Sequence, residues 1–345
     1  MALSKILPAS QEQYAGARNL IINGSQVVAQ RSTSATGLTS TGYHSIDRFR
    51  TSLFNGGTWT QSQSTTVPSG EGFGYSLKMD CTTADTSLLS NHHCILQHHI
   101  EGQNLQQLKY GTSSAESITL SFWVRSSKTG TYTVEFEQLG NTKQYSQTYS
   151  ISTADTWQKV TLTIDGDTAS SLANDNSCEL RVNWYLAAGP DYTSGTFNNS
   201  AWATTTTGNR VSSSQVNLAD STSNDWYITG VQLEVGEATP FEHRSYGDEL
   251  QRCQRFYYKV DPTGVSGWHP QMIADGQAYR VETMFYPVEM RASGTATTTA
   301  TTSFTFASSY PAVAFANKSM AVCRYDLTSA GGWANILTFT VDAEL

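Results

Sequence analysis

Between residues 118 and 125 the apolar side chains Ile118, Leu120, Phe122 and Val124 alternate with Thr119, Ser121, Trp123 and Arg125. A period of two turns one face of an extended strand to a core and the other to solvent. The pattern recurs at Tyr132, Val134 and Phe136, and again where Val160, Leu162 and Ile164 oppose Trp157, Lys159, Thr161 and Thr163. It returns at Leu180, Val182, Trp184 and Leu186, and in the stretch from Trp226 to Val235, where Gly230 interrupts the run and predicts a bulge. Asn23-Gly24 splits two short apolar runs between Asn19 and Gln30, the signal of a tight turn between strands, whereas Arg31 to Thr41 reads as a Ser/Thr/Gly loop. Short strands separated by Gly, Asp and Asn turns predict an all-β chain with a jelly-roll-like two-sheet β-sandwich over residues 19–244.

One segment has a different period. Tyr246, Leu250, Cys253, Phe256 and Tyr257 recur at helical spacing, Ser245 and Asp248 stand as a capping pair, and Arg252 and Arg255 lie toward the end. They predict one linking helix over about 246–258. A small C-terminal β domain, 259–345, follows, with strand signals at 279–290, 295–305, 320–325 and 336–341. Residues 1–18 are polar and read as an N-terminal arm or attachment segment. There is no fixed-period repeat of the kind a β-helical depolymerase shaft would carry.

Composition narrows the function classes. Charged residues are only 14% of the chain, while 45 Thr and 41 Ser make up about a quarter of its 345 residues, as suits pleated and half-solvated surfaces. The net charge of −8 lacks the basic footprint of a nucleic-acid binder. The five cysteines are odd in number and form no CxxC, so they read as small apolar residues of a protein folded in a reducing cytoplasm. No apolar run has membrane-spanning length, and MALSKILPAS lacks a secretory apolar run. The expectation is folding in a reducing cytoplasm, with no nucleic acid and no membrane insertion.

Several segments together resemble phage tail-fibre and related virion proteins. They are Asn19-Leu-Ile-Ile-Asn-Gly24 with Val28-Ala-Gln-Arg31, Asp47-Arg48-Phe49, Gln97-His-His-Ile-Glu101, Ser121-Phe-Trp-Val-Arg-Ser126 and Trp157-Gln-Lys-Val-Thr-Leu-Thr-Ile164. Further along the chain are Ile228-Thr-Gly-Val-Gln-Leu-Glu-Val-Gly236, Pro240-Phe-Glu-His-Arg244 with Glu249-Leu and Cys253 to Tyr257, and Phe285-Tyr-Pro-Val288 with Met290-Arg-Ala292. The resemblance covers roughly 19–292. It implies a virion component at the particle surface or tail, homotrimeric, in contact with other tail or capsid proteins. More distantly, the large domain resembles the jelly rolls of carbohydrate-binding modules. These often hold a structural calcium through an Asp in the last strand; here that place reads Ile228-Thr-Gly-Val231, without the Asp.

Candidate chemistry is sparse. His92-His93 and His98-His99 are adjacent pairs, and on an extended strand His98 points with Cys94 and Leu96 while His99 points with Ile95 and Gln97. Neighbours on opposite faces cannot share a metal within one chain. Asp165-Gly-Asp167 and Asn174-Asp-Asn176 lack the acids of a calcium loop and read as turns. No metal and no cofactor are expected. Glu137, Glu179, Asp191, Glu242 and Asp248 show no spaced pair, and no GxSxG, GxGxxG or P-loop occurs, which points away from an enzyme.

The aromatics between 184 and 202 have more to offer. Trp184 is expected in the core, with Tyr185, Tyr192, Phe197 and Trp202 on the opposite face or in a long loop, 187–203. Sugars stack their C–H faces on aromatic rings while amides and hydroxyls bind their OH groups. A glycan site would therefore draw on Asn183, Tyr185, Asp191, Tyr192, Asn198, Asn199 and Trp202, with Tyr192 and Trp202 as platforms. The same rings also suit packing over the sandwich or a subunit contact. The leading expectation is a non-enzymatic phage appendage that attaches to a host-surface glycan. A purely structural capsid fibre, decoration or tail adaptor subunit is the first alternative, and a polysaccharide depolymerase the second.

Overall fold

A computed structural model describes residues 18–260, 279–300, 312–326 and 336–345. It divides into two compact units, Met1–Arg244 and Ser245–Leu345. The strands of the first unit are β1 Ser34–Leu38, β2 Gly42–Tyr43, β3 Phe49–Phe54, β4 Thr58–Ser64, β5 Ser76–Thr83, β6 His93–Glu101, β7 Ile118–Ser126, β8 Gly130–Gln138, β9 Lys143–Ile151, β10 Gln158–Ile164, β11 Cys178–Ala188, β12 Ala203–Thr204 and β13 Asp225–Val235, with one helical turn, α1 Pro190–Thr193. They form a six-stranded sheet in the order β1-β4-β5-β13-β7-β10 and a seven-stranded sheet in the order β12-β9-β8-β11-β6-β3-β2. The antiparallel, crossed-over order is that of a jelly-roll-like sandwich, as the alternation predicts.

Each sheet turns its apolar face inward. Trp184 of β11 is fully buried and meets Phe122 of β7 edge-on at 6.0 Å; Phe122 in turn meets Tyr149 of β9 at 5.3 Å, and Tyr149 stacks on Tyr132 of β8 at 5.4 Å. Edge-to-face and offset rings of this kind add attraction beyond area burial. His98 also faces inward, against Phe49 at 5.1 Å, and His99 faces outward, as the strand period requires.

The bulge expected at Gly230 is present. The register of β13 against β7 shifts between Thr229 and Gln232, Gly230 lies at φ +61°, and a Cβ there would meet the Phe73 ring at 2.6 Å. Asn23 turns at φ +63°, but the flanking runs do not form the two strands anticipated. Their backbone bonds to β13 instead: Leu20 N–H donates to Leu233 O at 2.9 Å and Val231 N–H to Gly24 O at 2.9 Å. Gly24 is required there because a Cβ would sit 2.0 Å from the Val231 carbonyl. Asn19 N–H donates to Glu242 at 2.9 Å and Arg244 donates to Ile21 O at 3.1 Å, so the Asn19–Gly24 and Pro240–Arg244 segments form one clasp. The Arg31–Thr41 stretch, anticipated as loop, contains β1, an edge strand whose Ser, Ala, Thr and Gly side chains leave almost no apolar signal.

The second unit opens with α2 Tyr246–Gln254, capped by Ser245 Oγ accepting from Asp248 N–H at 3.2 Å. The helix is shorter than its apolar spacing predicts: Tyr257 and Tyr258 lie in β14 Tyr257–Val260, which pairs with β19 Ile336–Asp342. Their side chains continue the helical stripe by coincidence of period, and sheet pairing decides the conformation. The other strands are β15 Tyr279–Phe285, β16 Thr295–Ala300, β17 Ala312–Ala316 and β18 Met320–Asp326, forming the sheets β14-β19-β16 and β15-β18-β17. The arm expected at 1–18, apart from residue 18, and the 301–305 part of the 295–305 strand signal lie outside the described residues.

His98 makes the fold sensitive to acid. It is fully buried, its Nε2 accepts from Ile22 N–H at 3.3 Å, and burial, then Arg48 and His99, hold its pKa well below 6.5. A group whose folded pKa lies below its unfolded value stabilises fully above the unfolded value, and that stability is lost as pH falls below it. Urea unfolding between pH 8 and 5 will show stability falling below about pH 6.5. His98→Gln will flatten the slope by about one proton, or about 1.4 kcal/mol per pH unit. An unchanged slope would mean that His98 is not the neutral core group described.

Candidate functional site

With the inner faces spent on packing, chemistry is confined to the outer ones. On the seven-stranded sheet, register sets Arg50, Gln97, Asn183 and Glu135 side by side across β3, β6, β11 and β8. Two residues along lie His99, Arg181 and Glu137; two residues the other way lie Ser52, Ile95 and Tyr185. Arg50, Gln97, Asn183, Glu135 and Tyr185 form one chain of hydrogen bonds. Arg50 donates to Gln97 at 2.6 Å, Gln97 to Asn183 Oδ1 at 2.9 Å, and Asn183 Nδ2 to Glu135 at 2.9 Å. Tyr185 OH also donates to Glu135 at 2.9 Å.

Glu135 is fully buried and accepts two bonds from Arg210, at 2.7 and 2.8 Å; Arg210 also donates to Glu137 at 2.8 Å, and Arg181 pairs with Glu137. Two carboxylates and two guanidiniums thus cancel in charge. Burial works against the Arg210 charge, and Tyr185, Glu135 and Glu137 overcome it and raise its pKa; burial and then Glu135 push the Tyr185 hydroxyl far up.

Arg210 belongs to a strap, residues 189–217, laid over this face. Val211 packs on Ile95 and Tyr185, Gln215 donates to Tyr185 O at 2.9 Å, and Ser146 N–H donates to Asn198 O at 2.9 Å. The predicted site residues are therefore distributed rather than gathered. Asn183 and Tyr185 are fully buried beneath the strap as network members, not exposed contacts. Asp191 is exposed at the start of α1, and Asn199 is exposed with its carbonyl accepting from Gln147 at 3.2 Å. Asn198 is half-buried and donates to Gln144 O at 2.8 Å.

Trp202 is half-buried rather than free in the loop. Its ring is held edge-on between Tyr110 and Tyr145 at 5.9 and 6.0 Å, and its N–H donates to Asp165 O at 2.8 Å. Packing claimed it because the loop returns to pair as β12 with β9. Tyr192 stands in a different group, its hydroxyl 3.0 Å from His93 Nδ1.

That second group leads to residues that the sequence reading missed. Phe54, at the end of β3, is 46% exposed and stacks with the His93 ring at 6.3 Å and 22°. Ser52 Oγ lies 3.2 Å from His93 Nε2, so Ser52 and Tyr192 grip the imidazole from both nitrogens. Burial lowers the His93 pKa, the more so with Arg210 nearby, so the ring is neutral at pH 7. Arg50 follows on the same strand face, paired in register with Tyr43 on the edge strand β2. Phe54, Ser52 and Arg50 form a row about 13 Å long, from the rise of an extended strand. The signal was an alternation, Arg50, Ser52, Phe54 against Phe49, Thr51, Leu53, with a large aromatic on the polar side.

His92 Nδ1 lies 2.6 Å from Asp85, and among the described residues no group of three His, Cys, Asp or Glu could hold an ion. Asp167 accepts from Lys143 and Ala169 N–H, and Asp175 from Ser177 N–H, as turn residues do.

No protein-family model and no curated protein matches the chain. Among solved structures, 64% of it aligns with the enzymatically active domain of tailspike protein 4 of bacteriophage CBA120, at 14% identity and a TM-score of 0.33; the match covers 22% of that chain. A putative sugar binding protein from Bacteroides thetaiotaomicron aligns over 63% of this chain and 100% of its own, at 14% identity and a TM-score of 0.35. A family 11 carbohydrate-binding module from Clostridium thermocellum, bound to a mixed-linked tetrasaccharide, aligns over 61% and 99%, at 9% identity and a TM-score of 0.28. At such TM-scores no residue of this chain inherits a role from those proteins.

Removing Arg210 leaves Glu135 buried without its partner. Arg210→Ala is expected to cost about 3–5 kcal/mol in denaturant unfolding and to expose the strap to proteolysis between 189 and 217. A loss under about 1 kcal/mol would show that the network is not what holds the strap.

Proposed function

We propose that this protein is a non-enzymatic component of a bacteriophage particle, tail-fibre-like, that binds host-surface glycan through the Phe54–Ser52–Arg50 row. The observation that carries the reading is Phe54: a large aromatic left exposed on the polar side of β3, backed by a neutral imidazole and followed by a hydroxyl and a guanidinium. An exposed ring offers a face to the C–H side of a pyranose, and Ser52, Arg50 and Tyr192 offer donors and acceptors to its hydroxyls. A row of this length suits an oligosaccharide rather than one sugar. Rigid strands rather than a free loop hold it, which lowers the ordering cost of binding.

The virion setting is supported by the segments that resemble tail-fibre proteins, among them the two that close the clasp at Asn19–Gly24 and Pro240–Arg244. A non-enzymatic role is supported by Glu135 and Glu137, the paired acids nearest the row. Both are engaged by arginines, whereas glycoside hydrolysis requires one carboxyl to carry a proton and the other to stay open to the sugar. A single shallow site binds at about millimolar. Three copies in a homotrimer, repeated over a particle, raise the effective affinity by about 10² to 10⁴.

A purely structural reading is favoured by one observation, that the strap over the same face is fastened by buried charge pairs and leaves most of the anticipated loop contacts as packing. Adsorption separates the two. Phe54→Ala and Arg50→Ala are each expected to fold and assemble as the parent does, to weaken glycan binding about tenfold per site, and to reduce particle adsorption by more. Trp202→Ala is expected to lower stability without changing adsorption by the folded protein. Unchanged glycan-array binding and adsorption in both Phe54→Ala and Arg50→Ala would leave the structural reading in place.

A further inference from the structure

The outer face of the six-stranded sheet carries a second concavity, unrelated to any residue of the first. Register places Trp123 of β7 between Lys159 of β10 and Thr229 of β13, with Ser121 beside Gln232. The β13 bulge brings Phe73 down over Gly230, and Phe73 meets Phe241 edge-on at 5.0 Å. The loop bearing Phe241 is tied to the sheet: Glu242 N–H donates to Gln232 Oε1 at 2.8 Å, and Thr239 N–H to Glu234 at 3.0 Å. A groove of about 440 Å³ results, lined by Trp123, Phe73, Phe241, Ser121, Lys159 and Glu71, within the range of small-ligand sites.

Two properties narrow its occupant. Trp123 is half-buried, so part of its ring stands in the groove. Lys159 and Glu71 are exposed on the same lining and make no ion pair with another described residue. Their charges cancel, which gives no preference to an acidic ligand. One donates and the other accepts, which suits hydroxyl groups, each of which can do both. An apolar peptide would leave both charges unmatched.

We infer that this groove is a second saccharide site, specific for neutral hexopyranose units stacked on Trp123 with their hydroxyls shared between Lys159 and Glu71. The class of ligand rests on the glycan-binding reading above; the site itself does not. With one site on each outer face, a single chain engages glycan strands on two sides, and avidity arises within one subunit as well as between subunits.

The test is an NMR titration of the full chain, following tryptophan indole N–H signals, with Trp123 assigned by Trp123→Phe. The probes are tetrasaccharides of glucose, galactose or mannose, with tetragalacturonate as the acidic comparison, each taken to about 10 mM, well above a roughly millimolar site. At least one neutral probe is expected to shift the Trp123 signal, and tetragalacturonate to shift it less. Trp123→Ala is expected to remove one of two binding sites and leave the other's affinity unchanged. Trp123→Phe is expected to retain that site at several-fold lower affinity, and Lys159→Ala to weaken it about fivefold. Phe54→Ala is expected to leave the Trp123 shift as it was.

A Trp123 signal that no probe moves, or that only tetragalacturonate moves, overturns the inference. So does loss of all saccharide binding in Phe54→Ala, in which case the first site stands alone. A Trp123 shift together with binding that Phe54→Ala leaves wholly intact supports the groove and removes the first site instead.

Discussion

Two sheets share one apolar layer, and every other feature of the large unit is arranged around that constraint. Trp184, Phe122, Tyr149 and Tyr132 interlock at its centre, drawn from both sheets. Because a strand alternates faces, each residue given to this layer commits its neighbours to the outside. The inner face leaves no room for recognition chemistry, and a buried neutral His98 is the one imidazole it contains among the described residues. What the molecule does to other molecules has to happen on its outer faces.

The two outer faces meet this condition differently. On the seven-stranded sheet most of the surface is covered by the strap, which brings charge into a place without solvent. A buried ion network costs desolvation that its attractions repay only when every donor and acceptor is matched. Here Arg210 and Arg181 answer Glu135 and Glu137, and Asn183, Gln97 and Tyr185 take up the remaining acceptor and donor positions. Such matching gives a unique placement of the strap, and with it of Tyr192 and the His93 ring that backs Phe54. The buried network and the open row are thus parts of one device, the first orienting the second.

On the six-stranded sheet the covering element is short and held by backbone N–H groups that donate to the Gln232 amide and the Glu234 carboxylate, so a concavity persists beside Trp123 instead of a sealed interface. The bulge at Gly230 permits this. It admits the Phe73 ring where any side chain would collide, and so sets the depth of the groove. Its neighbour Val231 bonds through its backbone to Gly24, which links the groove wall to the clasp that closes the N-terminal segment on the sandwich.

The period of two in residues 118–126, 158–164, 178–188 and 225–235 by itself determined the strands, the inward side of each, and hence the all-β sandwich. It also determined that His98 and His99 part company, because those properties are local to a strand. Strand β1 and the true end of α2 were decided by pairing with distant partners, to which a stretch of Ser, Thr and Gly or a fortuitous helical spacing gives no clue. The same holds for the sites. Trp123 and Phe54 were legible as aromatics on polar faces, but an outward ring becomes a platform only if nothing returns to cover it. Trp202, in a loop that seemed free, was covered by Tyr110 and Tyr145, and Asn183 and Tyr185 disappeared under Arg210, which lies 25 or more residues away along the chain. Strand period fixes direction within a few residues, whereas exposure is settled by segments far apart in sequence, and only the tertiary structure brings those together.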